Sequence, residues 1–207
     1  MKDIFFDNLL CVIDTETTGL NPDKHEIVEF AIIPLGRDLK PHEYYGPLDI
    51  WMCPSELAEA DPESLTITGS TLEERMKGLD SGAAADMFIE WVDGLNLPPK
   101  SRIIPVACNW AFDSQFIRNW LSREPYDEIF HGHARDVMSM ALALDDLAWA
   151  YDEELPYPRL GLREMCTTAG IEVFDGGHGA MKDAVMTMHL YRHLCFKRCL
   201  TRSQQKL

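Results

Sequence analysis

The stretch LLCVIDTETTGL, residues 9–20, decides the fold. Residues 9–13 form an apolar run, without a polar break, that leads into Asp14, as a central strand buried on both faces does. Gly19, Asn21 and Pro22 mark the turn that follows. Asp14 and Glu16 stand two apart at the strand end, so both side chains leave the same face. Carboxylates that close repel each other unless a cation lies between them or one is protonated. Magnesium and similar hard ions are held by such oxygens, with phosphate oxygens and water completing the shell. An isolated D-x-E reads first as a solvated strand end before a turn, so this pair alone does not establish function.

Working outward, residues 27–35 (IVEFAIIPL) read as a second strand that ends or reaches an edge at Pro34, and 43–52 as a weaker third. Residues 102–108 (RIIPVAC) read as another buried strand. Helices are expected over 71–78, 83–95, 111–122, 136–150, 160–170 and 180–199; in 111–122, Phe112, Phe116, Ile117, Trp120 and Leu121 share one face. Early strands, then strand–helix alternation, then helices indicate an α/β domain with a mixed sheet. The chain has 207 residues, suited to one domain over 1–207 with a buried core.

Two further acids fall at element boundaries. Asp113 follows a strand in the first turn of its helix, and Asp183 opens another helix after Gly176, Gly177 and Gly179. His178 precedes Asp183 by five residues. Each acid alone reads as helix-start stabilisation. Together, the acids sit where α/β sheets place ligands. A histidine beside them completes a set suited to two-metal phosphodiester hydrolysis, in which neutral imidazole takes the proton from the attacking water.

The order of the motifs carries a resemblance. Residues 12–20 (VIDTETTGL) are similar to the first motif of the DEDD exonuclease superfamily, in the branch of the proofreading epsilon subunit of DNA polymerase III and ribonuclease T. Residues 26–32 (EIVEFAI), 62–74 (PESLTITGSTLEE), 109–116 (NWAFDSQF) and 178–184 (HGAMKDA) resemble its later segments in family order. The resemblance implies a ribonuclease H-like fold, a mixed five-stranded sheet flanked by helices, with two Mg²⁺ or Mn²⁺ ions. It implies Asp14, Glu16, Asp113 and Asp183 as metal ligands, direct or through water, and His178 as the general base of the His-bearing branch. It places Thr17 and Leu20 at the terminal nucleotide and Asn109 and Phe112 along the site. Trp110 departs from the small residue expected beside Asn109; base stacking and core packing are both open to it.

The expected activity is release of nucleoside 5′-monophosphates from single-stranded 3′ ends, DNA ahead of RNA. An exoribonuclease or oligoribonuclease is the alternative. A catalytically inactive binding module is disfavoured, because all five polar residues are present. The charge balance is 19 basic against 34 acidic residues, net −15, which argues against coating long duplex but not against gripping a chain end. The acidic run 145–154 (DDLAWAYDEE) reads as a solvated face, and the basic Lys197, Arg198, Arg202 and Lys206 as a solvated helix end or a strand guide. The six cysteines are scattered without zinc spacing and read as reduced thiols. No apolar run approaches the ~20 residues of a membrane helix, and the first residues do not read as a secretory signal. A cytoplasmic protein, monomer or homodimer, with a possible polymerase or replication partner, is expected.

Overall fold

The computed structural model describes residues 8–55, 61, 76–175 and 179–204, with side chains described as far as residue 196. Strands β1 (Leu9–Thr17), β2 (Ile27–Pro34), β3 (Leu48–Trp51), β4 (Ile103–Ala107) and β5 (Arg135–Asp136) form one sheet in the order β3-β2-β1-β4-β5. The strand that opened the reading is its centre. β2 and β3 run antiparallel to their neighbours, while β1, β4 and β5 are parallel, so the sheet is mixed. Helices α1 (Ser81–Gly94), α2 (Trp110–Leu121), α3 (Arg123–Ile129), α4 (Val137–Ala150), α5 (Leu162–Ala169) and α6 (Ala180–Gln204) flank it.

Alternation along the central strands divides the core. Cys11, Ile13, Phe30 and Ile32 pack with Phe88 of α1 and Phe116 and Ile117 of α2. Val12, Ala31 and Ile33 point the other way, among Met165 of α5 and Ala184, Met188 and Leu190 of α6. By the same period of two, Asp14 and Glu16 continue the Val12 face towards α6, and Thr15 continues the Ile13 face towards α2. The sequence pattern therefore settles which helix each site residue meets.

β1 runs four residues past the expected 9–13, because its pairing with β2 continues through Asp14↔Ala31 and Glu16↔Glu29 before a bulge at Glu16/Thr17. β2 ends at Pro34 as expected. β3 is shorter than 43–52: ahead of it, Tyr44 and Tyr45 donate their backbone N–H to His42 Nδ1 in a turn. The two-residue β5 carries too little periodicity to be read from sequence. The short α3 was also not anticipated; its Pro125 sits in the first turn, where the missing N–H has no helical partner to lose. Of the helix expected over 71–78, residues 71–75 lie outside the described residues and 76–78 form a turn and bend.

The acidic run 145–154 is only partly a solvated face. Asp145 turns inward, and its Oδ1 accepts the backbone N–H of Tyr157 at 2.8 Å, while Trp149 and Tyr151 are exposed. Cys11, Cys53, Cys108, Cys166 and Cys195 are free thiols. Among the described residues, no helix is long and apolar enough to cross a membrane.

Phe88 is the hub of the α1-side core. Its ring meets Phe30 edge-on at 5.1 Å, lies parallel to Phe130 at 6.0 Å and tilts against Trp120 at 5.8 Å. Phe88→Ala is expected to lower unfolding stability by about 3–5 kcal/mol, the usual cost of removing a buried phenyl ring. Urea denaturation should register this as a lower midpoint with an unchanged slope.

Candidate active site

The carboxylates converge at the end of β1. Asp14, Glu16 and Asp183 each offer one ligand atom, and these atoms all lie within 4.8 Å of one another. Asp14 and Glu16 are half-buried and Asp183 is buried, in the first turn of α6. Burial, first, and then the charges of Asp113, Asp183, Glu16 and Glu29 hold the Asp14 carboxyl well above its usual pKa. It is the carboxyl whose electrostatic neighbours include all the others.

Asp113 is buried in the first turn of α2 and is held from β1. The backbone N–H of Thr15 and its hydroxyl both donate to Asp113 Oδ1, at 3.1 and 2.7 Å, across 98 positions of sequence. Burial pushes the Asp113 pKa up to about 7, against the lowering effect of these bonds. Asp113 does not belong to the tight trio, although its charge reaches Asp14.

Two contributors were missed in the sequence. Thr15 stands between two acids, and nothing local points to a partner 98 positions away. Glu29 lies in a segment matched by resemblance and was given no role. It pairs across from Glu16, and its Oε1 accepts the N–H of Met181 at 3.5 Å, at the start of α6. Burial raises its pKa, while hydrogen bonds from the backbone of Ala180 and Met181 lower it. A lone acid inside an otherwise unbroken apolar strand is the signal that could have found Glu29, which is buried.

The expected nucleotide contacts fare differently from one another. Leu20 is 78% exposed and stands clear on the turn after β1. Thr17 is buried, with its hydroxyl donated to the Gly19 carbonyl at 2.8 Å. His25 lies against the same turn: a Cβ on Gly19 would meet its ring at 2.4 Å, so any larger residue there has to displace the imidazole. Asn109 is exposed in the left-handed region, φ 68°, at the start of α2. Phe112 is half-buried, its ring 4.9 Å from that of Phe116. Trp110 packs against the core, 6.0 Å from Phe130, and its backbone N–H donates to Asp136 Oδ2 at 2.7 Å. His178 lies outside the described residues, as does the 62–74 segment.

The donor set suits hard divalent cations: it is all carboxylate oxygen, it is closely spaced, and its charges oppose one another without a cation. Among the described residues, no cluster of cysteine and histidine offers a softer alternative.

The family model described as Exonuclease, RNase_T, matches residues 11–191. The chain belongs to this exonuclease family, of the DEDD superfamily. It is 26% identical over 196 residues to ribonuclease T of Histophilus somni (strain 129Pt), covering 88% of this chain and 81% of that protein. It is 41% identical over 75 residues to oligoribonuclease of Vibrio vulnificus (strain CMCP6), covering 36% of this chain and 41% of the relative. A zinc-bound E. coli exonuclease I complexed with single-stranded DNA superposes with a TM-score of 0.71 at 21% identity, over 92% of this chain. This chain spans only 41% of that protein's length. A 3′-exonuclease that recognises the 3′ end of a histone mRNA stem-loop gives a TM-score of 0.66 at 18% identity, covering 91% of this chain and 64% of that one. Both structures share the ribonuclease H-like fold.

The repulsion at the site has a measurable consequence. A carboxyl whose folded pKa is raised binds a proton in the folded protein over a range where the unfolded chain does not. For Asp113, that range runs from the ordinary 3.8 to about 7, so its contribution to stability falls as pH rises through it. Metal-free Asp14→Asn should therefore melt higher than wild type at pH 7.5, at about 2–4 °C per kcal/mol relieved for a chain of this size. The gap should narrow as pH falls towards 5. Calorimetry in EDTA reads both effects.

Proposed function

We propose that this chain is a divalent-metal-dependent 3′→5′ exonuclease that releases nucleoside 5′-monophosphates from single-stranded 3′ ends, with DNA as the leading substrate. The observation that carries this reading is the convergence of Asp14, Glu16 and Asp183 within 4.8 Å, with Asp113 beside them, on a scaffold of the exonuclease family. Asp14, Glu16, Asp113 and Asp183 would hold two Mg²⁺ or Mn²⁺ ions, directly or through water. Such ions would neutralise the clustered charge and supply an acidified water.

The chain's own residues do the rest. Leu20, exposed on the turn that Thr17 and Gly19 fasten, meets the terminal nucleotide. Asn109 and Phe112 line its approach from the start of α2. His178 receives the proton of the attacking water; that assignment rests on its position five residues before Asp183 in the sequence. With a net charge of −15, the protein has little general attraction for duplex, which favours a gripped chain end over a coated one. RNA 3′ ends or short oligomers are the second reading, favoured by the likeness to ribonuclease T over 88% of the chain. A 2′-hydroxyl is read by few contacts, so the two substrates differ little in what they ask of the site.

Matched end-labelled DNA and RNA oligonucleotides, single- and double-stranded, with Mg²⁺, Mn²⁺ or EDTA, test the proposal. Unpaired 3′ ends should be shortened stepwise, EDTA should stop the reaction, and a circular substrate should survive. Cutting within the circle would refute an exonuclease. Asp14→Ala should leave a folded, inactive protein. His178→Ala should bind Mn²⁺ as before while kcat falls by about 10²–10⁴, the usual loss for a general base. The rise of rate with pH through imidazole titration should disappear in that variant.

A further inference from the structure

Asp113 differs from the other acids in how its oxygens are used. Its Oδ1 accepts two hydrogen bonds from one residue, the Thr15 backbone N–H at 3.1 Å and the Thr15 hydroxyl at 2.7 Å. A carboxylate oxygen has two lone-pair directions, and here both are directed at Thr15. The backbone N–H of Asp113 also bonds its own carboxylate, and Oδ2, which takes neither Thr15 bond, is the oxygen with more capacity for a cation. Both residues are buried, at 7% and 4% exposure, so water competes poorly for these bonds. Thr15 is fixed in turn: it sits near the end of the central strand, paired with Phe30, between the two acids of the D-x-E. The bond therefore ties α2 to β1 at the level of the site.

We infer that Thr15 is a positioning residue that restricts Asp113 to single-oxygen coordination, and so biases the site towards Mg²⁺ and Mn²⁺ and against Ca²⁺. The inference rests on Asp113 being a metal ligand, as proposed above. Small cations demand near-octahedral shells with one oxygen from each carboxylate at short range. Ca²⁺ takes six to eight oxygens, often two from one carboxylate, at longer range. A carboxylate with one oxygen already committed to the protein cannot swing to present both. The Thr15 hydroxyl thus removes a coordination mode that the larger ion uses and the smaller ones do not. It also fixes the remaining oxygen in place before any ion arrives.

Thr15→Val tests this with little change of shape, since it removes the hydroxyl and keeps both the branched side chain and the backbone donor. Titration calorimetry with Mn²⁺ and with Ca²⁺, each without nucleic acid, is the primary measurement. Thr15→Val should lower the Mn²⁺-to-Ca²⁺ affinity ratio by about 10-fold, within the range usual for groups that orient a metal ligand. Single-turnover hydrolysis of an end-labelled oligonucleotide should slow by a similar factor, about 10-fold, with KM unchanged. Thr15→Ser, which restores the hydroxyl, should return both the ratio and the rate to wild type. An unchanged ratio in Thr15→Val, or a serine variant that behaves like valine, overturns the inference. Asp113→Asn separates this failure from that of the larger reading. If Asp113→Asn loses metal binding and turnover while Thr15→Val is silent, only the role of Thr15 falls. If Asp113→Asn binds metal and turns over as wild type, Asp113 is not a ligand and both fall.

Discussion

Mutual repulsion among acids at the end of one buried strand is the constraint the rest of the fold answers. Asp14, Glu16, Glu29, Asp113 and Asp183 all act on this region, and Asp14 feels every other member. Like charges directly opposite each other in a sheet, as Glu16 and Glu29 are, destabilise it. The fold offsets part of this with backbone dipoles. Asp113 and Asp183 each occupy the first turn of a helix, where the N-terminal end favours negative charge. Glu29 is turned away to accept N–H groups at the start of α6, and Asp113 is secured by Thr15. What remains uncompensated is the charge a divalent cation fits.

The two faces of the sheet divide the labour. The Ile13 face, with α1 and α2, packs large aromatics around Phe88 and gives rigid support to Thr15 and Asp113. The Val12 face, with α4, α5 and α6, carries smaller and more flexible side chains, several of them methionines, beneath Asp14, Glu16 and Asp183. The site straddles the strand between these two layers. Residues from both faces therefore have to stay in register for the four acids to stay together. The bulge at Glu16/Thr17 ends the regular pairing at this point and frees the chain for the turn that carries Leu20.

Much of this was legible in the sequence, for physical reasons. The unbroken apolar run before Asp14 reads as a doubly covered strand, and period two then places Glu16 beside Asp14. Helix-start acids are visible because helices announce their starts, and α1, α2, α4, α5 and α6 fall within a few residues of expectation, except where α6 runs on to Gln204. What was not legible depends on tertiary contact. Thr15 is an ordinary strand residue until Asp113 is folded against it, and Glu29 is an ordinary glutamate until α6 docks. Asp145, read as part of a solvated acidic face, turned out to hold the loop at Tyr157. The two-residue β5 exists because β4 is there to pair with it, not because of its own pattern.

The carboxylates reach the site from opposite ends of the sequence: Asp14 and Glu16 from the first strand, Asp113 from α2, and Asp183 from α6, the last helix described. A ribosome must therefore make nearly all of these residues before the acids can be brought together. Until α6 docks, Asp14 and Glu16 lack the third carboxylate of the trio. With the acids acting as proposed, a partly made or partly unfolded copy has no complete metal site. On the proposed roles, hydrolytic capacity belongs to the folded chain alone, and the wiring of the site doubles as a safeguard against premature cutting.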